Sequence, residues 1–232
     1  MSLEIGSVWR LRGLRLVAII IGLGLWSLTQ SLIGQHEVEN VISDHAHVLT
    51  ADWNAYLNQN EKIANTLLII SSGLIDLIGI GLLMNAIFGK SIRTFLALLI
   101  LFAARQVCQF YCALPLPEGI IWRDPGMPSL FVTYGVANDF FFSGHTGLAV
   151  FGAIELARRF GRTGEVIGVS IVMFEIVTVL VLRAHYTMDV VTGAAAAGLA
   201  SLAADSTAGW VDEKFKQIAG VTPIAAIQRK NL

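Results

Sequence analysis

The sequence predicts an all-α integral membrane protein, folded as a bundle of six transmembrane helices. Of its 232 residues, 55% are hydrophobic and only 14% are charged, whereas soluble domains have about 25% charged residues. Apolar runs recur along the chain, and a bilayer core is crossed by roughly 20 residues of apolar helix. Lys and Arg are distributed unevenly among the segments between these runs, which is the bias that sets membrane orientation.

Six apolar segments are the candidate spans, and we expect them to form one polytopic domain over residues 1–232. The first three are continuous, and the last three are shorter or interrupted by polar residues. The predicted spans are residues 14–34, 63–87, 92–114, 144–158, 164–182 and 185–204. Arginines precede the first run as they do in a signal peptide, but no A-x-A-like cleavage site follows it. We therefore expect this run to be retained as the first helix.

The distribution of basic residues predicts the orientation. With six spans both termini lie on one side, which then carries twelve of the 16 Lys and Arg residues. Basic residues favour the cytoplasm, so the termini are predicted to be cytoplasmic. Residues 35–61 and 115–143 then face a lumen or the exterior, as solvated connections or a lid. The histidines of the first of these loops, His36, His45 and His47, are expected at the surface. A bacterial plasma membrane and a eukaryotic endomembrane fit equally well.

Charge and metal-ligand spacing exclude several functional classes. A formal net charge of −1 provides no basic excess for a nucleic-acid partner. Cys108 and Cys112 lie four residues apart in an apolar run, where we expect packing thiols. No pattern of His, Cys and carboxylates suits a metal ion, so the sequence predicts neither a metal nor another cofactor. The oligomeric state is left open.

Two polar clusters lie at predicted outer helix starts. Asn138-Asp139-Phe140-Phe141-Phe142-Ser143-Gly144-His145-Thr146 opens the fourth span, where free N–H groups and the helix dipole favour an anion such as phosphate. Arg183-Ala184-His185-Tyr186-Thr187-Met188-Asp189 opens the sixth, and a four-residue spacing puts His185 and Asp189 on one helix face. Asp189 is thus positioned to orient the imidazole. The topology, which was set by Lys and Arg alone, brings both clusters to the same membrane level.

These motifs resemble the type 2 phosphatidic acid phosphatase superfamily. The likeness is greatest to the sphingomyelin synthase branch and the plant phosphatidylcholine:diacylglycerol cholinephosphotransferases. It spans about residues 105 to 205. The matching pieces are Arg105, Leu114-Pro115-Leu116-Pro117, Phe142-Ser143-Gly144-His145-Thr146 and His185-Tyr186-Thr187-Met188-Asp189. The hydrolytic phosphatases carry an additional Lys and an Arg-Pro in their first motif, and an Arg farther ahead of the last His, so the resemblance points to a transferase.

The resemblance implies a role for each matching residue. His185 would attack phosphorus and form a phosphohistidine, with Asp189 orienting it, and His145 would be the general acid and base. The phosphate-binding candidates are Arg105, Arg183, Ser143 and the Gly144 amide, which could stabilise charge on the phosphoryl oxygens. Asp139 and Glu118 are candidates for contacting His145 or a choline headgroup. The partners would be a phospholipid that donates its headgroup, for which the resemblance indicates phosphocholine, and a lipid alcohol such as diacylglycerol or ceramide.

Several alternatives stay open from the residues. Arg105 is also suited to extend toward the interface, Arg183 to anchor there, and Asp139 to be a solvated loop carboxylate. A lipid phosphate phosphatase or phospholipase C-like hydrolase would use water in place of the alcohol. A transporter or scaffold would instead depend on Asp76, Glu155 and Glu175, which pair across helices or mark a headgroup path.

Overall fold

The computed structural model describes residues 2–33, 42, 44–134 and 140–221. Within these ranges the chain forms helices and loops but no strand, which confirms the all-α class. The helices are α1 (Ser2–Ile33), α2 (His45–Leu49), α3 (Ala51–Gln59), α4 (Glu61–Phe88), α5 (Arg93–Tyr111), α6 (Gly144–Val181) and α7 (Thr187–Ala219).

Five of the described helices are long and apolar enough to cross a membrane. The qualifying segments are Gly6–Leu32, Glu61–Phe88, Arg93–Tyr111, Gly144–Val181 and Thr187–Ala219. They overlap all six predicted spans, but the predicted fourth and fifth spans correspond to parts of one helix, α6, so the structure has five long helices among the described residues where six spans were predicted. The last helix extends 15 residues beyond the predicted boundary at 204, and its small residues pack closely against α5 and α6.

Helix α6 reverses direction at Gly161. This glycine has φ 58° and ψ −136°, a conformation that favours glycine because it lacks a Cβ atom. The two arms pack against each other: a Cβ atom on Gly168 would lie 2.7 Å from the Cα of Ala153. Because the chain reverses at Gly161 and the two arms pack side by side, residues 144 and 182 both lie near the same end of the bundle.

Two loops cover that end. The first contains α2 and α3, whose Asn54 donates to the carbonyl oxygens of Gly119 (3.0 Å) and Val181 (2.9 Å). The second runs from α5 to α6, and its Ile121 amide donates to the Leu182 carbonyl oxygen at 2.7 Å. The expectation that His47 lies at the surface is wrong: His47 is on the buried side of α2 and is only 5% exposed. His45 is exposed as predicted, and His36 falls outside the described residues.

The intramembrane carboxylates have structural partners. Asp76 accepts hydrogen bonds from the Ser129 hydroxyl (2.9 Å) and from the amides of Leu130 and Phe131, so it anchors the second loop to α4. Glu175 contacts the Ser71 hydroxyl at 2.6 Å.

The opposite end of the bundle is held by ion pairs. Arg93 pairs with Glu155 at 2.5 Å and also with Asp205, to which Arg158 pairs at 2.7 Å. Arg15 pairs with Asp212 at 3.2 Å. Arg93 and Arg105 are separated by about 18 Å along α5, so these contacts lie well away from the histidine motifs.

Candidate active site

His145 lies in the first turn of α6. Ser143 caps this helix, and its Oγ accepts a hydrogen bond from the Thr146 amide at 3.2 Å, a standard N-cap contact. The His145 ring is 7% exposed and meets Trp122 edge-on, with ring centroids 5.1 Å apart. Its Nε2 atom is buried without a hydrogen-bond partner among the described residues, which leaves that nitrogen available to a ligand.

His185 is held in one tautomer by a backbone carbonyl. Its Nδ1 lies 2.9 Å from the Phe140 carbonyl oxygen. Since a carbonyl oxygen only accepts, Nδ1 carries the proton, and in the neutral ring Nε2 keeps its lone pair. This is the arrangement that a nucleophilic Nε2 requires.

Asp189 lies beside the same ring at a longer distance. Its Oδ2 is 3.6 Å from His185 Nδ1, beyond hydrogen-bond length, and accepts instead from the Tyr186 amide at 2.8 Å. The carboxylate therefore caps α7, while the Phe140 carbonyl is the nearer partner of the imidazole. Asp189 is completely buried, so its charge acts on the ring through little water.

Direct backbone contact joins the two motifs. The Ser143 amide donates to the Asp189 carbonyl oxygen at 3.0 Å. Gly193, one turn further along α7, leaves room for this contact, because a Cβ there would lie 2.6 Å from the Ser143 carbonyl oxygen. The starts of α6 and α7 are thereby fixed side by side.

Both imidazoles line one small cavity. Its walls include His145, His185, Arg105 and Gly144, together with aromatic side chains from α1, α5 and the second loop. The volume is about 40 Å³, enough for only a few water molecules. A ligand larger than this therefore requires surrounding side chains to move.

Arg105 brings a buried positive charge to this cavity. It is 6% exposed, and its Nε donates to the Phe142 carbonyl oxygen at 2.8 Å. Its Nη1 contacts Gln30 Oε1 at 3.3 Å. A Cβ on Gly144 would lie 3.3 Å from Arg105 Nε, so the guanidinium lies directly against the start of α6 and does not extend to the interface.

Arg183 is directed away from the cavity. It has φ 57°, and its Nη2 donates to the His47 carbonyl oxygen at 2.6 Å. Burial lowers the pKa of this guanidinium, while the nearby carboxylates of Asp44 and Glu118 favour its charge. Glu118 is exposed and, like Arg183, is not among the described residues that line the cavity. Asp139 falls outside the described residues.

Sequence reasoning missed a clamp formed by the first loop. Asp44 accepts hydrogen bonds from the Thr187 amide and hydroxyl, the latter at 2.8 Å. Burial alone would raise the pKa of Asp44, but the hydrogen bonds from Thr187 and Ala46 hold it below its usual value. Asp44 has an ordinary N-cap signature in the sequence, and nothing local connects it with a residue 143 positions away.

His47 completes the clamp. Its Nε2 lies 2.9 Å from the His185 carbonyl oxygen, and its ring stacks on Tyr186 with centroids 5.4 Å apart. Burial lowers the pKa of His47, opposed by the hydrogen bond to His185 and reinforced by the charge of Arg183. The clamp thus supports the backbone of the His185 motif from outside the cavity.

Comparison with known proteins gives one family match. The model of the AtPDCT1/2 family matches residues 43–208, a range that begins just before Asp44 and includes both histidine motifs. No curated protein and no solved structure matches the chain. The match covers well over half of the sequence, and the chain therefore belongs to the AtPDCT1/2 family, which is phosphatidylcholine:diacylglycerol cholinephosphotransferase-like.

Proposed function

We propose that this protein transfers a phosphocholine headgroup from a glycerophospholipid to a lipid alcohol through a phosphohistidine. The observation that carries the proposal is the shared cavity of His145, His185 and Arg105. Membership of the AtPDCT1/2 family supports phosphatidylcholine as the donor and diacylglycerol as the acceptor, and ceramide is the other acceptor of the same chemical class.

In the first half-reaction, the Nε2 lone pair of His185 attacks the phosphorus atom. The bond from phosphorus to the glycerol oxygen breaks, and protonated His145 gives its proton to that oxygen, so diacylglycerol leaves as a neutral alcohol. The phosphorylated ring of His185 retains the proton on Nδ1 and is cationic. Asp189, 3.6 Å away and buried, stabilises that charge electrostatically.

The second half-reaction reverses these roles. Neutral His145 accepts the proton of the incoming alcohol as the alcohol oxygen attacks phosphorus. The bond between phosphorus and Nε2 breaks and restores neutral His185. Over the full cycle the proton returns to His145 and the headgroup passes to the incoming alcohol. The scheme therefore uses no metal ion and no external base.

Arg105 and the start of α6 stabilise the transferring group. Phosphoryl transfer spreads negative charge over the non-bridging oxygens, and fixed cations and backbone donors aimed at those oxygens lower the barrier. The Arg105 guanidinium contacts Gly144 at the first turn of α6, where the helix dipole is positive. Ser143 serves this arrangement as the helix cap.

The reversal at Gly161 supports a six-crossing topology. Each arm of α6, residues 144–160 and 162–181, is close to the roughly 20 residues that span a bilayer. With α1, α4, α5 and α7 the crossings number six. Both termini then lie in the cytoplasm, and the histidines lie at the lumenal or exterior face.

The contacts of the intramembrane carboxylates weigh against a transporter or scaffold. Asp76 anchors a loop, Glu155 pairs with Arg93, and Glu175 contacts Ser71. Each has a partner within the bundle, and none lines the histidine cavity.

Transfer is tested with purified protein, unlabelled phosphatidylcholine and diacylglycerol labelled in an acyl chain. We expect the label to appear in phosphatidylcholine; parallel reactions with labelled ceramide test the other acceptor. A headgroup-labelled donor is run alongside, since release of free phosphocholine without labelled phospholipid would establish a hydrolase and contradict the transferase. Replacing His145 with alanine should reduce transfer by about 10²–10⁴-fold. His45→Ala, at an exposed histidine of α2, is the matched control and should retain activity.

A further inference from the structure

A second cavity lies between α1 and α5, next to the catalytic one. Its volume is about 320 Å³, and its lining is almost entirely apolar. Along α5 it runs from Phe95 to Gln106, a distance of about 16 Å at the helical rise. Leu25 and Leu99 line it and are 60% and 43% exposed. The cavity is therefore open on the side of the bundle that faces the bilayer.

Three aromatic side chains border both cavities. Trp26, Phe102 and Phe131 line the apolar cavity and also the histidine cavity. Phe131 is held in place by Asp76, which accepts from its amide at 2.9 Å. Its ring packs on Gly79, where a Cβ atom would lie 2.4 Å from Phe131 Cε2. The two cavities are thus separated only by side chains, one of which is fixed to α4.

Two residues that line the cavity, Gln106 and Trp26, each have a buried polar atom without a partner among the described residues. The Nε2 of Gln106 donates to Gln30 Oε1 at 3.2 Å, which leaves Gln106 Oε1 as an acceptor. This oxygen has no donor among the described residues, and Trp26 Nε1, a donor, has no acceptor there. Buried polar groups without partners are costly, so an unpaired acceptor and an unpaired donor on two residues of one apolar cavity favour a ligand that offers both functions when these side chains turn toward it.

We propose that this cavity binds the lipid alcohol that accepts the headgroup. An acyl chain lies along α5, the free hydroxyl donates to Gln106 Oε1, and an ester carbonyl accepts from Trp26 Nε1. The assignment to the acceptor rests on the function proposed above.

The polar atoms distinguish the acceptor from the donor. Diacylglycerol is uncharged and has one O–H donor, which suits Gln106 Oε1. Phosphatidylcholine has no O–H donor and carries two charges, and no charged residue lines this cavity among the described residues. Gln106 Nε2 and Arg105 Nη1 both donate to Gln30 Oε1, so a hydroxyl bound by Gln106 lies near the guanidinium at the start of α6.

Photo-crosslinking tests the binding site without turnover. The probe is diacylglycerol with a diazirine on one acyl chain, added to the inactive His185→Ala protein in phosphatidylcholine nanodiscs. We expect adducts in residues 22–29 and 95–106, and we expect excess unlabelled diacylglycerol to remove them. Adducts confined to other segments would overturn the proposal. Equal competition by added short-chain phosphatidylcholine would also overturn it, by assigning the cavity to the donor.

The assignment can also be tested by comparing a larger side chain placed inside the cavity with the same substitution outside it. Ala103 lines it and is exposed, so Ala103→Phe should reduce crosslinking at least tenfold without disturbing the core. Ala195→Phe, at an exposed alanine of α7 outside the cavity, should stay within twofold of the parent protein. Equal crosslinking by the two variants would contradict the assignment.

Kinetics separate this proposal from the proposed function. In the active protein, Ala103→Phe should raise KM for diacylglycerol about tenfold and leave KM for phosphatidylcholine unchanged. Should the active protein transfer no headgroup, the proposed function fails, while crosslinking still reports whether the cavity binds a lipid alcohol. Transfer by Ala103→Phe with an unchanged diacylglycerol KM would overturn the cavity assignment alone.

Discussion

Replacing Asp44 with alanine should release α2 from the start of α7. The Asp44 carboxylate accepts two hydrogen bonds from Thr187, and hydrogen bonds to a charged group contribute about 1.5–3 kcal/mol each. Because Asp44 is only partly buried, the lower value applies, and the pair contributes about 3 kcal/mol. A loss of this size raises the equilibrium constant for opening of α2 roughly 100-fold.

Hydrogen exchange measures this opening directly. We expect amide protection at residues 45–50 to fall about 100-fold in Asp44→Ala, whereas α3 stays protected because Asn54 still anchors it to Gly119 and Val181. Asp52→Ala, at an exposed aspartate in the first turn of α3, is the control. Unchanged protection of α2 in Asp44→Ala would refute the clamp. Transfer activity should fall as well, because His47 would lose its position against the His185 carbonyl.

Three further predictions follow from the fold. Burial lowers the pKa of His47 below its usual 6.5 when α2 is docked, so the undocked segment binds more protons than the docked one. Protection of the α2 amides, corrected for intrinsic exchange, should therefore be complete above pH 6.5 and decrease below it. His47→Gln should remove this pH dependence. Gly161→Ala should destabilise the protein by about 1–3 kcal/mol because alanine is strained at φ 58°, and the melting temperature should fall accordingly. Gly198→Ala is the control: this helical glycine has open space around it, so the melting temperature should not fall. Glu175→Gln preserves a hydrogen-bond partner for Ser71 and should leave transfer within twofold, and loss of transfer would instead support a role for this carboxylate in the substrate path.

Local patterns in the sequence were sufficient for the long helices and for the positions of the two histidines of the candidate site. Span length and hydropathy identify all the long helices, and the gap before Gly164 corresponds to the reversal at Gly161. The Ser-Gly-His and His-x-x-x-Asp spacings place His145 and His185 at helix starts, where the structure has them. These features depend on residues that are close together in the chain, within a single span or a single short motif.

Contacts between distant segments could not be read from the sequence. Asp44 and Thr187 are 143 residues apart, and the first loop has the composition of a solvated connection. Arg183 looks like a phosphate ligand beside His185, but its positive φ directs the chain so that the guanidinium contacts His47. The Phe140 carbonyl, as a backbone group, has no sequence signature, yet it is the nearer partner of the His185 ring.

The central claim is that His185 carries the phosphocholine group between the two lipids. The most direct measurement is a rapid acid-free quench of the protein after mixing with ³²P-labelled phosphatidylcholine, followed by peptide mapping of the bound label. The mechanism predicts label on His185 that forms without acceptor, is stable in alkali, and disappears when diacylglycerol is added. Transfer at the normal rate by a His185→Ala protein, or label found on another residue, would contradict it.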